Sequence, residues 1–114
     1  MTANFTKSYL LLGGNIGDRV SYIKTAVEML CKSYAVTAIS SVYETAAWGD
    51  RSQKSYLNVA VELNVETSAE DLFAQTRKIE YELGRREKGN YMPRTIDIDI
   101  LFYGDNIIET RALT

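Results

Sequence analysis

From Tyr56 to Glu66 every second residue is a branched aliphatic. Leu57, Val59, Val61, Leu63 and Val65 occupy one set of positions, and Tyr56, Asn58, Ala60, Glu62, Asn64 and Glu66 the other. Side chains of a strand alternate between faces, so the pattern predicts a strand with one apolar and one polar face. Helical spacing flanks it on both sides. Val20, Ile23, Val27, Leu30 and Cys31 predict an amphipathic helix over residues 18–32, capped by Asp18. Leu72, Thr76, Ile79 and Leu83, widened by Ala69 and Phe73, predict a second helix. Thr67 or Ser68 caps it, Glu70 or Asp71 completes a capping box, and Gly84 ends it.

Three further segments read as strands. Tyr9–Leu12 is a short apolar run, broken by Gly13-Gly14-Asn15-Ile16-Gly17 at a tight turn that needs positive φ. That glycine loop fits neither phosphate-binding template, since the spacing is wrong and no lysine follows. Val36–Tyr43 is rich in β-branched residues but alternates weakly. Pro93–Asp105 reads as one strand, with Ile96, Ile98, Ile100 and Phe102 on one face and Asp97, Asp99, Leu101 and Tyr103 on the other. The order β-α-β-β-α-β is that of an α+β, ferredoxin-like core: an antiparallel sheet with two helices on one face and the other face available. The 114 residues are expected to form a single domain over 1–114.

Composition removes several function classes. There is no histidine, which excludes a Ser-His-Asp triad, a Cys-His pair and a His-ligated zinc within the chain. A net charge of −2 gives no global attraction to nucleic acid or membrane. The lone Cys31 cannot form an internal disulfide and is expected to be a small buried hydrophobe. The chain fits a reducing compartment, carries no recognisable signal peptide or membrane span, and is expected to be cytoplasmic.

Chemistry concentrates in the strand after Pro93. Asp97 and Asp99 point the same way, about 6–7 Å apart along the strand. Such a pair suits hard cations bridged to phosphate oxygens, and Arg94 just before it could hold a phosphate bidentately. An amphipathic strand with two solvated aspartates fits the spacing equally well. Residues 77–94 are the most basic part of the chain, but Glu80, Glu82 and Glu87 dilute the charge, so a nucleic-acid stripe is unconvincing. A basic loop beside two carboxylates does fit a nucleotide polyphosphate. Glu44–Ser55 reads as a loop long enough to be functional. Its Trp48 covers either a core edge or a ligand. Tyr56 and Asn58 begin the polar face beside that loop; an aromatic and an amide there could receive a flat heterocycle or simply be exposed-face residues. Glu80 falls within the apolar sector of its helix, so it either snorkels or has a partner.

Several separated segments resemble the 6-hydroxymethyl-7,8-dihydropterin pyrophosphokinase family. They are Leu12-Gly13-Gly14-Asn15-Ile16-Gly17-Asp18-Arg19, Tyr43-Glu44-Thr45 with Gly49, Tyr56-Leu57-Asn58, Ile79-Glu80 with Gly84-Arg85, and Pro93 to Leu101. The resemblance runs nearly the whole chain in the right order. It implies transfer of pyrophosphate from ATP to the hydroxymethyl group of the pterin, with AMP as leaving product, in folate biosynthesis. It further implies that Asp97 and Asp99 bind two Mg²⁺. Thr45, Ala46, Trp48, Tyr56 and Asn58 are implied to bind the pterin. Glu80, Arg85, Arg94 and the backbone of Ile100 belong to the ATP side, with Arg85 and Arg94 as the catalytic residues. No protein nucleophile is needed, since positioning and charge neutralisation carry the reaction.

The chain departs from the family pattern in places. Ala46 and Ala47 stand where the family usually has proline, and Tyr91 stands for a family tryptophan. The loop from Gly84 to Arg94 is one residue short, and Arg86 or Lys88 replaces a second arginine, with Glu87 aligning there as readily. Family members continue beyond the position of Thr114, so the expectation is a C-terminally truncated core with weaker substrate binding and lower turnover. A non-catalytic ferredoxin-like ligand-binding module, or an inactive fragment of the enzyme, is the alternative. A two-metal nuclease is disfavoured by the lack of other acidic ligands near the pair and of a basic groove. Expected partners are the two small-molecule substrates, with no nucleic acid and no membrane; the oligomeric state is left open.

Overall fold

A computed structural model of the chain describes residues 5–15, 17–45, 55–84 and 96–107. The elements are β1 (Thr6–Gly14), α1 (Arg19–Ser33), β2 (Ala35–Ile39), β3 (Tyr43–Thr45), β4 (Tyr56–Val65), α2 (Ala69–Glu82), β5 (Asp97–Tyr103) and β6 (Asn106–Ile107). The sheet order is β2-β4-β1-β5-β6, with β3 also on β4. Every pairing is antiparallel. This is the expected ferredoxin-like α+β order, extended by the short β6.

The period-two pattern of β4 holds throughout: its five aliphatic positions are buried and the intervening ones half-buried. Leu10 and Leu12 of β1, and Ile96, Ile98 and Ile100 in and just before β5, join them in one cluster. Ile23, Ala26 and Leu30 of α1 and Leu72 and Ile79 of α2 cover that cluster. Each such leucine or isoleucine contributes about 1.5–3 kcal/mol on full burial, so packing on one sheet face outweighs intrinsic propensity in holding the helices. Both caps form as their sequences suggest. Asp18 accepts from the Ser21 amide at 3.1 Å and Ser68 from the Asp71 amide at 3.1 Å. Gly84 leaves α2 at φ 104.

Four details differ from the sequence reading. First, Val20 is 60% exposed, and Cys31 is exposed rather than buried. At 100° per residue both sit roughly 60–80° round α1 from Ile23, on the side away from Ala26 and Leu30. Second, Gly13 and Gly14 do not break β1; they pair with Asn58 and Leu57. The positive φ of the turn belongs to Gly17, at 66°.

Third, the expected strand from Val36 to Tyr43 is interrupted between Ile39 and Tyr43. There the Ser40 amide donates to the Ala60 carbonyl at 2.9 Å, while the Ala60 amide donates to Ser40 Oγ at 2.8 Å. A hydroxyl thus replaces a backbone acceptor along the edge of β4.

Fourth, Phe102 does not share a face with Ile96, Ile98 and Ile100. Tyr9 pairs with Phe102 and Leu10 with Ile100, so Leu101 is an extra residue and the register shifts. A bulge reverses the alternation beyond it. Tyr103 therefore packs against the core and donates to the Thr67 carbonyl, while Phe102 meets Tyr9 edge-on at 6.2 Å between centroids. Ser8, fully buried, donates its hydroxyl to the Phe102 carbonyl at 2.6 Å and satisfies the bulged strand. Among the described residues no helix is long and apolar enough to cross a membrane.

Candidate functional site

The sheet face away from the helices carries the polar residues of β1, β4 and β5, and strand register sets them in rows. Tyr43, Asn58, Gly13 and Asp97 are successive cross-strand partners. Ala60, Leu11 and Asp99 form the next row on one side, and Thr45 pairs with Tyr56 on the other. Directly paired residues point to the same face, so Asn58, Tyr56 and Thr45 share a surface with both aspartates.

Gly13 shapes the middle of that surface. Two interstrand spacings separate Asn58 from Asp97, about 10 Å between Cα atoms, and only a glycine lies between them. A Cβ on Gly13 would meet Asn58 Oδ1 at 2.7 Å and the Leu57 carbonyl oxygen at 3.1 Å. The bare backbone leaves a flat floor, with an amide at one side and two half-buried carboxylates at the other. Asn58 is held in place by its own bonds: Nδ2 donates to Thr45 Oγ1 at 3.0 Å and to the Tyr43 carbonyl at 3.5 Å. That directs Oδ1 over Gly13.

Behind the aspartates lies Glu80 of α2, 3% exposed. Its Oε2 accepts from the Ile98 amide at 2.7 Å, the N–H lying between Asp97 and Asp99 in the chain. Arg77 Nε stands 3.4 Å from Glu80 Oε1, and its guanidinium lies 5.6 Å from the centre of the Phe73 ring. Of the two readings of Glu80, the partnered one is the one observed. The Ile100 side chain is buried in the core, and the residue pairs with Leu10 of β1.

At the far end of the same face, Glu62 is held below its ordinary carboxylate range, first by the Tyr9 hydroxyl and then by that of Thr37, with Lys7 at 3.5 Å adding to both. The same contact raises the Tyr9 phenol.

Asp97 and Asp99 have the chemistry of a Mg²⁺ site, which takes one or two carboxylates and completes its oxygen shell with water and phosphate. Among the described residues no group of three or more His, Cys, Asp or Glu side chains gathers as a self-sufficient metal cage. Ala46, Trp48, Arg85 and Arg94 lie outside the described residues, as do Gly49, Arg86, Lys88 and Tyr91. The sequence reading missed Gly13 as a site-shaping residue, because its role depends on a partner 45 positions away. It also missed a network beneath β3. Arg19 Nη1 donates to the Ser55 carbonyl at 2.7 Å and to Ser55 Oγ at 3.1 Å, and Ser55 Oγ donates to Glu44 Oε2 at 2.6 Å.

Comparison with known proteins adds the chemical context. The model of the family described as 7,8-dihydro-6-hydroxymethylpterin-pyrophosphokinase matches residues 9–114. A 2-amino-4-hydroxy-6-hydroxymethyldihydropteridine pyrophosphokinase of Aquifex aeolicus is 43% identical over 105 residues, covering 92% of this chain and 66% of the relative. The enzyme of the same name from Bacillus subtilis is 43% identical over 108 residues, covering 93% and 65%. A mitochondrial folate synthesis bifunctional protein of Pisum sativum is 38% identical over 106 residues, covering 92% of this chain and 21% of its own length. The chain spans 66% and 65% of the length of the two bacterial relatives.

Proposed function

This chain belongs to the 7,8-dihydro-6-hydroxymethylpterin-pyrophosphokinase family, and from that premise we propose that it transfers pyrophosphate from ATP to 6-hydroxymethyl-7,8-dihydropterin. The hydroxymethyl oxygen attacks the β-phosphorus, the bond from that phosphorus to the oxygen bridging it to the α-phosphorus breaks, AMP leaves, and the alcohol proton passes to solvent. The observation that carries this reading is the row Asn58–Gly13–Asp97. An amide with fixed donor and acceptor directions, a bare glycine floor and a carboxylate pair share one sheet face, open among the described residues.

The roles follow from chemistry. Asn58 and Thr45 offer hydrogen-bond groups to the edge of a pterin ring, and Tyr56 offers an aromatic wall beside them; Ala46 and Trp48 would complete the pterin side. Asp97 and Asp99 would hold Mg²⁺, two ions in this reading, which when bound neutralises polyphosphate charge and orients the β-phosphorus for in-line attack. Glu80 serves the ATP side through the strand whose N–H it accepts. Arg85 and Arg94 would clamp phosphate oxygens, and the Ile100 backbone would border the nucleotide. No protein nucleophile is then needed, and the rate comes from holding two substrates in register.

The test is AMP formation from ATP by this chain with Mg²⁺, with and without the pterin, alongside Asp97→Ala. Pterin-dependent AMP that disappears in the variant supports the transfer reaction. AMP released equally without pterin, or unaffected by the substitution, contradicts it. If pterin binds with no AMP formed, the chain is a ligand-binding module.

A further inference from the structure

Arg19 occupies the first position of α1, next to the Asp18 cap, where a positive charge opposes the helix dipole. Helix stability therefore does not explain an arginine there. Its contacts do. The side chain is only 25% exposed, and its Nη1 reaches the Ser55 carbonyl, Ser55 Oγ and, at 3.6 Å, Glu44 Oε2. Glu44 belongs to β3 and pairs with the core-facing Leu57, so it points to the helix side of the sheet. Its neighbour Thr45 points to the open face and accepts the Asn58 amide.

β3 is three residues long, wholly exposed, and among the described residues borders a single strand. So short an edge strand has little cohesion of its own. The Arg19–Ser55–Glu44 network ties it to the start of β4 and to the start of α1, from beneath the face on which Thr45 and Asn58 meet.

We infer that Arg19 is a positioning residue for the pterin site: through Glu44 and Ser55 it fixes β3 so that Thr45 holds the Asn58 carboxamide in its binding orientation. This rests on the pterin reading of the open face given above. Arg19 itself touches no substrate in this scheme, because it lies on the opposite side of the sheet from Asn58.

Calorimetric titration of the chain with 6-hydroxymethyl-7,8-dihydropterin, and separately with a non-hydrolysable ATP analogue and Mg²⁺, tests it. The variants are Arg19→Ala, Arg19→Lys, Glu44→Gln and the Arg19→Ala/Glu44→Gln pair. Arg19→Ala is expected to weaken pterin binding about three- to tenfold, the size of one misplaced neutral hydrogen bond, with nucleotide affinity held within about twofold. Arg19→Lys recovers part of the loss, and the double variant binds pterin no worse than Arg19→Ala, because both changes cut one connection. In the unliganded chain the Asn58 side-chain amide resonances shift in Arg19→Ala.

Wild-type pterin affinity in Arg19→Ala overturns the inference, as does a parallel loss of pterin and nucleotide affinity, which marks a merely structural role. Should Arg19→Ala fail to fold, Glu44→Gln decides: its carboxylate is 61% exposed, and unchanged pterin affinity there is equally fatal. A wild-type chain that binds nucleotide but no pterin overturns the functional reading and this inference with it; a wild-type chain that binds pterin as its variants do overturns this inference alone.

Discussion

Gly13→Ala isolates the contribution of the site floor. The new methyl carbon would lie 2.7 Å from Asn58 Oδ1 and 3.1 Å from the Leu57 carbonyl oxygen. The first contact is relieved only if the Asn58 carboxamide turns away, which breaks its 3.0 Å bond to Thr45 Oγ1. The second involves backbone inside the β1–β4 ladder, which yields by tenths of an ångström at most without losing pairing. Overpacking of this kind costs about 1–3 kcal/mol. Restricting the unfolded chain returns about 0.4–1 kcal/mol, since Gly13 is not among the glycines of positive φ. The expected net destabilisation is about 1–2 kcal/mol, read as a lower urea midpoint at unchanged slope. Pterin affinity should fall by more than this modest loss implies. The ligand loses both the Asn58 orientation and its bare floor, so about tenfold or greater weakening is expected from one hydrogen bond plus a steric block. A stabilised variant that binds pterin within twofold of the wild type would refute the floor.

Three further outcomes follow from the same contacts. Glu80→Ala leaves the Ile98 amide without its acceptor and opens a void under β5, and should cost about 2–4 kcal/mol by urea unfolding, whereas Glu80→Gln keeps an acceptor and should cost about 1 kcal/mol. Asp97→Asn keeps the strand and its volume but removes a cation ligand, so Mg²⁺-dependent nucleotide binding should drop at least tenfold while the thermal midpoint moves little; equal losses in both would point to a structural aspartate. Glu62, held below its ordinary 4.5 first by the Tyr9 hydroxyl, contributes stability above that pH that is lost as pH falls through its folded value, while Tyr9, raised above 10.0, contributes stability below pH 10 that is lost as pH rises. Glu62→Gln should therefore flatten both the acid and the alkaline limb of the stability profile, and an unchanged profile would remove this contact from consideration.

Local patterns in the sequence carried the elements well where packing and periodicity agree. The alternation of β4 survives without exception, and Asp18 and Ser68 cap as their positions suggest. The shared face of Asp97 and Asp99 needs only strand geometry and was legible from spacing alone. What escaped depends on partners distant in sequence. The bulge at Leu101 is a property of the β1–β5 pair and of the Ser8 hydroxyl that serves it, so Phe102 and Tyr103 could not be assigned from β5 alone. Gly13 reads as turn chemistry locally, yet works as a strand residue over which Asn58 reaches. Cys31 lies just beyond the buried arc of α1, an angular margin that a one-dimensional pattern does not resolve. Arg19 offered one local sign, a cation at the start of a helix, but its purpose is visible only once Ser55 and Glu44 are beside it.

The open face itself is best interrogated by titrating the isotopically labelled chain and following backbone and side-chain amide resonances. Added 6-hydroxymethyl-7,8-dihydropterin should move Gly13, Tyr43, Thr45, Tyr56 and Asn58, and a Mg²⁺–ATP analogue should move Asp97, Ile98, Asp99 and Ile100, with the outer faces of α1 and α2 undisturbed. Shifts that cluster on the helices, or neither ligand moving the row from Asn58 to Asp97, would contradict the assignment of this face as the substrate site.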